Sequence, residues 1–153
     1  MIGNDHETVR AIVLPQFSPE EPLVRLIPNS FDVRLAEPLT FYSAELDLEI
    51  KIVPPFVSDL LSVPWIARRL IPKGGPGRIP ALIHDKLCDD GKLPVEKREF
   101  PNISSDMAHR LLYEGMVATG VSEWRRNAIY GAVYYFGPQW DRAAEWVDGT
   151  GGA

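Results

Sequence analysis

The sequence predicts an α+β domain in which an N-terminal antiparallel β-sheet packs against a C-terminal set of about three α-helices. Three observations lead to this prediction. Apolar and polar residues alternate in segments before residue 54, proline and glycine are dense in residues 54–80, and apolar residues recur at helical spacing after residue 79. Strands that precede helices, without regular alternation, are typical of the α+β class.

The strand candidates are short segments with period-two patterns. They cover residues 9–14, 23–27, 31–35 and 44–52. In the last of these segments the alternation continues from Ala44 to Ile52, which is typical of a strand with one solvent-facing side. Turns between the candidates are marked by prolines at positions 15, 19, 22, 28 and 38.

The second half of the chain has helical periodicity. Residues 54–80 come first and are expected to form ordered loops and short turns. Helices are then predicted over residues 79–88, 105–119, 123–136 and, as a short addition, 139–147. Asp89 to Gly91 are expected to end the first helix, with a loop running to about residue 103. Ser104 or Ser105 is expected to cap the second helix.

Length and composition limit the class of protein. The 153 residues fit one domain, predicted over 1–147, followed by a flexible glycine-rich tail over 148–153. The net charge of −5 argues against broad nucleic-acid binding. The single cysteine forms no internal disulfide. No signal peptide and no transmembrane segment are evident, so we expect a cytosolic or virion protein made without export.

A histidine and an aspartate, His84 and Asp85, are adjacent in the apolar run 81–88. Both need partners, because burying polar groups unpaired costs on the order of several kcal/mol. In a functional interpretation, the two side chains point about 100° apart on the helix, so one faces the core side of a cleft and the other faces its mouth. His84 then takes a proton from water while Asp85 holds a hard cation. In a structural interpretation, His84 bonds a backbone carbonyl or Asp59, and Asp85 bonds loop amides.

Three acidic or hydroxyl side chains are candidates to support this pair. Asp106 either accepts the second ring N–H of His84, as the third member of a triad, or is simply favoured in a first helical turn by the macrodipole. Asp59 and Ser62 either point into a cleft beside His84 or have local roles. In the local interpretation, Ser58 or Asp59 caps a short turn and Ser62 makes a side-chain turn before Pro64.

Other candidates have plainer interpretations. Cys88 lies one helical turn after His84, so it either acts chemically or fills the core as a small residue. His6 and His109 are expected to be solvated. The third predicted helix is rich in aromatic side chains that are expected to belong to the core, namely Trp124, Tyr130, Tyr134, Tyr135 and Phe136.

Several motifs occur in a fixed order: Phe56-x-Ser58-Asp59-x-x-Ser62-Val63-Pro64, His84-Asp85-x-Leu87, Asp106, Tyr130-x-Ala132-Val133 and Phe136-Gly137. Over about residues 40–137 they resemble DUF1353, an uncharacterised family common in bacteriophages and prophages. The family pattern usually has a tyrosine where this chain has Cys88. The resemblance implies a phage source, in the cytoplasm of a bacterial host or in the virion, and no established chemistry.

A local stretch is also similar to phospholipase A2. It consists of the glycine-rich loop 74–77, the pair His84-Asp85 and the later Asp106. This resemblance implies that His84 activates water and that Asp106 orients the His84 ring. It also implies that Asp85 binds Ca²⁺ together with carbonyl groups of the loop, for which Gly75 and Gly77 are the candidates.

Two functional hypotheses follow. The first is a phage-type accessory protein with a His-Asp-Asp site that acts as a metal-assisted ester hydrolase on a small-molecule or lipid substrate. The alternative is a non-catalytic virion or host-interaction protein, whose partner is a phage or host protein and whose His-Asp motif is structural. Exposure of His84 separates them, since a catalytic histidine needs a solvent-accessible cleft and a structural one is buried with its polar atoms paired.

Overall fold

The structure is a computed structural model, and it describes residues 16–19, 24–26, 32–58, 63–71 and 77–141. Within these ranges the strands are β1 (Gln16–Ser18), β2 (Val24–Leu26), β3 (Val33–Leu35), β4 (Leu39–Ser43), β5 (Leu48–Ile52) and β6 (Phe56–Ser58). The α-helices that follow are α1 (Trp65–Arg68), α2 (Arg78–Gly91), α3 (Ser105–Ala118) and α4 (Glu123–Phe136). The predicted α+β class is confirmed.

The strands form two small antiparallel sheets where the sequence predicted one. Their orders are β1-β4-β5 and β2-β3-β6. In the first sheet Phe41 pairs with Phe17 and Ile50, and in the second Val33 pairs with Ser58. The chain passes from one sheet to the other between β3 and β4, where Pro38 lies. Proline has no N–H to extend a ladder, so this position favours the break.

The strand predictions are confirmed in part. Strands β2 and β3 lie inside the predicted segments 23–27 and 31–35, but the segment 44–52 is extended only from Leu48 onwards because residues 44–47 form a turn. Strands β1, β4 and β6 were not predicted. The candidate strand 9–14 and the tail 148–153 lie outside the described residues.

Helix α1 lies in the segment expected to form loops and short turns and was not predicted. The boundaries of the predicted helices α2, α3 and α4 agree with the sequence to within one residue except at the end of α2, which continues through Gly91. Asp90 does not end the helix, because its carboxylate instead accepts the amides of Glu99 at 2.6 Å and Phe100 at 3.0 Å. As predicted, Ser104 caps α3, accepting the Met107 amide at 3.3 Å. Of the predicted helix 139–147, residues 139–141 are irregular and the rest lies beyond the described residues.

Helix α3 is central to the packing because it contributes to both hydrophobic clusters. One cluster joins the sheets to α2 and α3, and the other joins α1, α3 and α4 together with Ala81 of α2. Helices α2 and α3 run antiparallel, since His84 meets His109 near the middle while Pro80 meets Gly115 towards one end. No helix in the described ranges has the length and apolarity needed to cross a membrane.

Among the described residues, helix α4 is covered on one side only. Its buried residues are Ile129 and Val133. The expectation that its aromatic side chains belong to the core is wrong for four of them, Trp124, Tyr134, Tyr135 and Phe136, which are exposed. The physical reason is that the neighbours of α4, which are α1 and α3, pack against the same face of the helix.

The segment after α4 returns to the start of α3. The Trp140 indole N–H donates to the Ile103 carbonyl at 2.8 Å, and the Ser105 amide donates to the Trp140 carbonyl at 3.0 Å. The Trp140 ring lies so close to Gly91 that it occupies the space of a Cβ there. These contacts hold residues 138–140 against the end of the α2–α3 pair.

We expect Gly115→Ala to lower the free energy of unfolding by about 1–2 kcal/mol, because an added Cβ lies 3.0 Å from the Pro80 Cβ and 3.2 Å from the Phe17 ring. Gly131→Ala in α4 is the matched control. Nothing lies within 4 Å of its Cβ position, so helix propensity should raise stability by about 0.5–1 kcal/mol. Urea unfolding measures both, and equal stabilisation by the two changes would contradict tight α2–α3 packing.

Candidate functional site

Two histidines meet where α2 packs on α3. His84 is 0% exposed and His109 is 1% exposed. Nε2 of His84 lies 2.8 Å from Nδ1 of His109, so one nitrogen donates a hydrogen bond to the other. The expectation that His109 is solvated is wrong. Helix α3 is covered on two sides by the two hydrophobic clusters, which leaves few of its positions facing water.

The histidine pair is uncharged at neutral pH. Burial, and after it the charge of His109, lowers the pKa of His84 to about 3. Burial also lowers the pKa of His109, while the charge of Asp106 and the carbonyl of Pro138 act in the opposite direction. Both rings therefore serve as neutral hydrogen-bonding groups in the folded protein.

Cys88 packs against the His84 ring. Its Sγ lies 3.7 Å from Nε2 and 3.8 Å from Nδ1 of His84. Both distances lie within the longer reach of hydrogen bonds that involve sulfur, and they place the thiol beside the imidazole ring. The thiol is 0% exposed, whereas reactive cysteines are partly accessible. The geometry thus fits the small core residue better than the chemical interpretation.

Asp85 connects α2 to a sheet. It is 3% exposed, and its Oδ2 accepts a hydrogen bond of 2.8 Å from the Ser58 hydroxyl. Ser58 is itself buried, on the inward side of β6, with the exposed Val57 before it. The sequence left open whether Ser58 or Asp59 caps a short turn. In the structure Ser58 lies in a strand, and alternation along β6 turns its hydroxyl towards α2.

Asp106 lies in the first turn of α3, and its side chain is 53% exposed. Its Oδ2 is 3.5 Å from Nε of Arg110. The charge of Asp106 acts on His109, one turn further along the same helix. This placement agrees with the macrodipole interpretation. Its role as the third member of a triad with His84 stays a prediction.

The remaining candidates concern the loops. Asp59, Ser62 and Gly75 lie outside the described residues. Gly77 precedes α2 with φ +96°, and its carbonyl accepts the Ala81 amide at 3.0 Å. Within the described ranges no group of three or more His, Cys, Asp or Glu side chains is arranged to hold a metal ion. Calcium takes six to eight oxygen ligands, so a site at Asp85 stays a prediction.

The structure also shows an interior carboxylate that the sequence interpretation missed. Glu114 of α3 accepts hydrogen bonds from the Ser43 hydroxyl at 2.5 Å, the Ala44 amide at 2.8 Å and the Glu45 amide at 3.1 Å. These contacts fix the turn between β4 and β5 onto α3. The signal in the sequence was an acidic residue between apolar positions of α3, at helical spacing from Leu111.

The buried histidine pair determines how the stability of the fold changes as the pH is lowered. In the unfolded chain a histidine has a pKa near 6.5, whereas His84 in the folded protein has a pKa of about 3. Below about pH 6.5 the unfolded chain therefore binds a proton that folded His84 does not. Stability falls as the pH drops from about 6.5 towards 3, by up to about 1.4 kcal/mol per pH unit for this group.

We expect the free energy of unfolding to fall more steeply between about pH 7 and 5 in the wild type than in His84→Gln, because only the wild type takes up a proton at position 84 on unfolding. Carboxylates stay mostly ionised in this range and add little to either slope. Urea unfolding at several pH values measures the slopes. His6→Gln is the control that removes another of the three histidines. Parallel curves for the wild type and His84→Gln would contradict the neutral buried pair.

Comparisons with known proteins place this site in a family. The chain is similar to an uncharacterised protein of Sinorhizobium fredii, y4iH, with 28% identity over 88 residues. That alignment covers 58% of this chain and 29% of the relative, so the chain spans less than a third of the relative's length. No solved structure matches the chain.

A family described as a protein of unknown function, DUF1353, matches residues 33–133, about two thirds of the chain. The matched range runs from β3 into α4. It includes the histidine pair, the Ser58–Asp85 hydrogen bond and the Glu114 contacts. The resemblance noted in the sequence is therefore confirmed, and the chain belongs to the DUF1353 family.

Proposed function

We propose that this DUF1353 protein is a non-catalytic, phage-type accessory protein that acts by binding a phage or host protein, and that its His-Asp motif is structural. The observation that carries the proposal is the complete burial of His84 against His109. A general base must lie within hydrogen-bond reach of the proton it takes, and it works best with a pKa near the operating pH. Burial and a pKa of about 3 oppose both requirements.

The other polar groups of the motif have structural uses. Asp85 accepts a hydrogen bond from the Ser58 hydroxyl of β6, so the carboxylate that a metal ion would need already has a protein partner. Cys88 packs on the His84 ring. Catalytic sites place groups with shifted pKa values in a cleft, whereas here they lie between layers of the fold. This arrangement supports a role in holding α2 against α3 and the sheet.

The surface supports an interaction role. Helices α1 and α4 expose large apolar side chains, which are Trp65, Ile66, Trp124, Tyr134, Tyr135 and Phe136. Exposed apolar surface that is grouped on neighbouring elements marks protein or ligand contacts more often than isolated apolar residues do. The phage source rests on the family resemblance.

The competing proposal is a metal-assisted ester hydrolase acting on a small-molecule or lipid substrate. In it His84 activates water, Asp106 orients His84, and Asp85 binds Ca²⁺. The adjacency of His84 and Asp85 after a glycine-rich loop favours it. It requires a conformation in which the contact of α2 with α3 opens enough for water and substrate to reach His84.

We expect the purified protein to hydrolyse p-nitrophenyl butyrate and phosphatidylcholine micelles no faster than its His84→Gln variant, with calcium present, because His84 has no access to substrate. Circular dichroism confirms that the variant is folded. A rate well above that of the variant, and lost equally in Asp85→Asn, would overturn the non-catalytic proposal in favour of the hydrolase.

A calcium melting experiment tests the competing proposal directly. We expect the Tm of the wild type to be the same with millimolar calcium and with a chelator, as for Asp85→Asn. Bound calcium at 100 times its Kd would add about 2.7 kcal/mol of stability. A calcium-dependent rise in Tm that Asp85→Asn lacks would establish Asp85 as a ligand and support the hydrolase.

A further inference from the structure

The outward face of α4 carries four uncharged residues in one row. They are Trp124, Ala128, Gly131 and Tyr135, and their spacing of four, three and four places them on one side of the helix, away from the buried Ile129 and Val133. Trp124 is 61% exposed and Tyr135 is 76% exposed. Nothing lies within 4 Å of the Cβ position at Gly131. The row thus has a large aromatic side chain at each end and small residues in the middle.

We propose that this row docks on the same row of a second copy of the chain, with the two α4 helices antiparallel about a two-fold axis. A two-fold interface uses the same patch on both copies, and because the spacing is identical when read in either direction, each residue of the row lies opposite another residue of the row. In this arrangement Trp124 of one copy lies opposite Tyr135 of the other, and Ala128 lies opposite Gly131. The proposal holds whether or not the chain is an enzyme.

The small residues in the middle of the row allow close contact. The distance between packed helices is about 8–10 Å and depends on the side chains at the crossing point. Ala128 and Gly131 add almost no bulk there. Aromatic rings at the two ends then reach past the crossing point and stack in offset or edge-to-face geometry, as aromatic pairs prefer.

Charge selects the antiparallel arrangement. The charged residues of α4 are Glu123, Arg125 and Arg126, all near its start, and residues 127–136 carry no charge. A parallel pair would place arginines opposite arginines. An antiparallel pair places the charged start of each helix beside the uncharged aromatic end of the other and also opposes the two helix dipoles.

Arg125 has a specific contact in the antiparallel arrangement. Residues eleven positions apart share a side of a helix, so Arg125 lies on the same flank of the row as Phe136. The Arg125 guanidinium already lies 5.3 Å from the centre of the Trp124 ring of its own chain. In the dimer it also approaches the exposed Phe136 ring of the second copy, which is a favourable cation–π position.

The dimer is weak and reversible. A single helix pair is smaller than the surface of about 800 Å² per partner in stable complexes. The net charge of −5 on each copy also opposes association. Association is therefore concentration-dependent and becomes stronger with added salt.

Sedimentation velocity of the full chain from about 5 to 500 µM, the range for weak interfaces, tests the proposal. The wild type should shift from monomer towards dimer with concentration. Gly131→Leu fills the middle of the row and should stay monomeric, with an unchanged or higher Tm because its site is open. Ala118→Leu adds leucine at an exposed site on α3 and should associate like the wild type.

Disulfide formation between cysteine variants tests the orientation. In the antiparallel dimer Trp124→Cys and Tyr135→Cys should cross-link when mixed, and neither should cross-link alone, because equal positions lie about 16 Å apart along the helix. Cross-linking of Trp124→Cys with itself would overturn the antiparallel arrangement. A monomer at every concentration, or unchanged association of Gly131→Leu, would overturn the proposed interface.

Discussion

The packing of α2 against α3 is the constraint on which the rest of the structure depends. At its middle the two buried histidine rings share one hydrogen bond, and burial disfavours the charged form of both rings. At its end the missing side chain of Gly115 lets Pro80 approach the α3 backbone. Since α3 belongs to both hydrophobic clusters, any shift of this helix loosens the sheets and α4 together.

The interior carboxylates extend this constraint to the other layers. Each carboxylate accepts hydrogen bonds from another element: Asp85 from β6, Glu114 from the end of β4 and the turn after it, and Asp90 from the segment that follows α2. A buried carboxylate without donors is costly, so each one fixes a partner element at a particular distance. Directional hydrogen bonds thus position short strands that have little hydrophobic area of their own.

The titratable side chains of the motif and the exposed apolar side chains lie in different parts of the molecule, whereas a catalytic cleft usually brings titratable groups to an accessible surface. The titratable groups of the His-Asp motif are inside, paired and neutral or hydrogen-bonded, whereas tryptophan and tyrosine side chains face solvent on α1 and α4. This distribution is the reason for proposing binding through a surface over catalysis in a cleft. It also means that changes at the motif act first on stability.

The sequence by itself determined that strands precede helices, the limits of α3 and α4 to within one residue, and a serine cap on α3 at position 104 or 105, of which the structure shows Ser104. These features depend on local patterns of apolar spacing and hydroxyl placement. Three-residue strands such as β1 and β6 contain too few positions to show an alternation, so their pairing into two sheets was not predictable.

The tertiary structure alone decided which groups meet. His84 and His109 lie 25 positions apart, and periodicity within α3 does not reveal that two clusters cover it from different sides. The same limit applies in reverse to α4, which is rich in aromatic residues but has one packed face among the described residues. Local pattern fixes the direction of a side chain on its helix, and long-range packing decides whether protein or water lies in that direction.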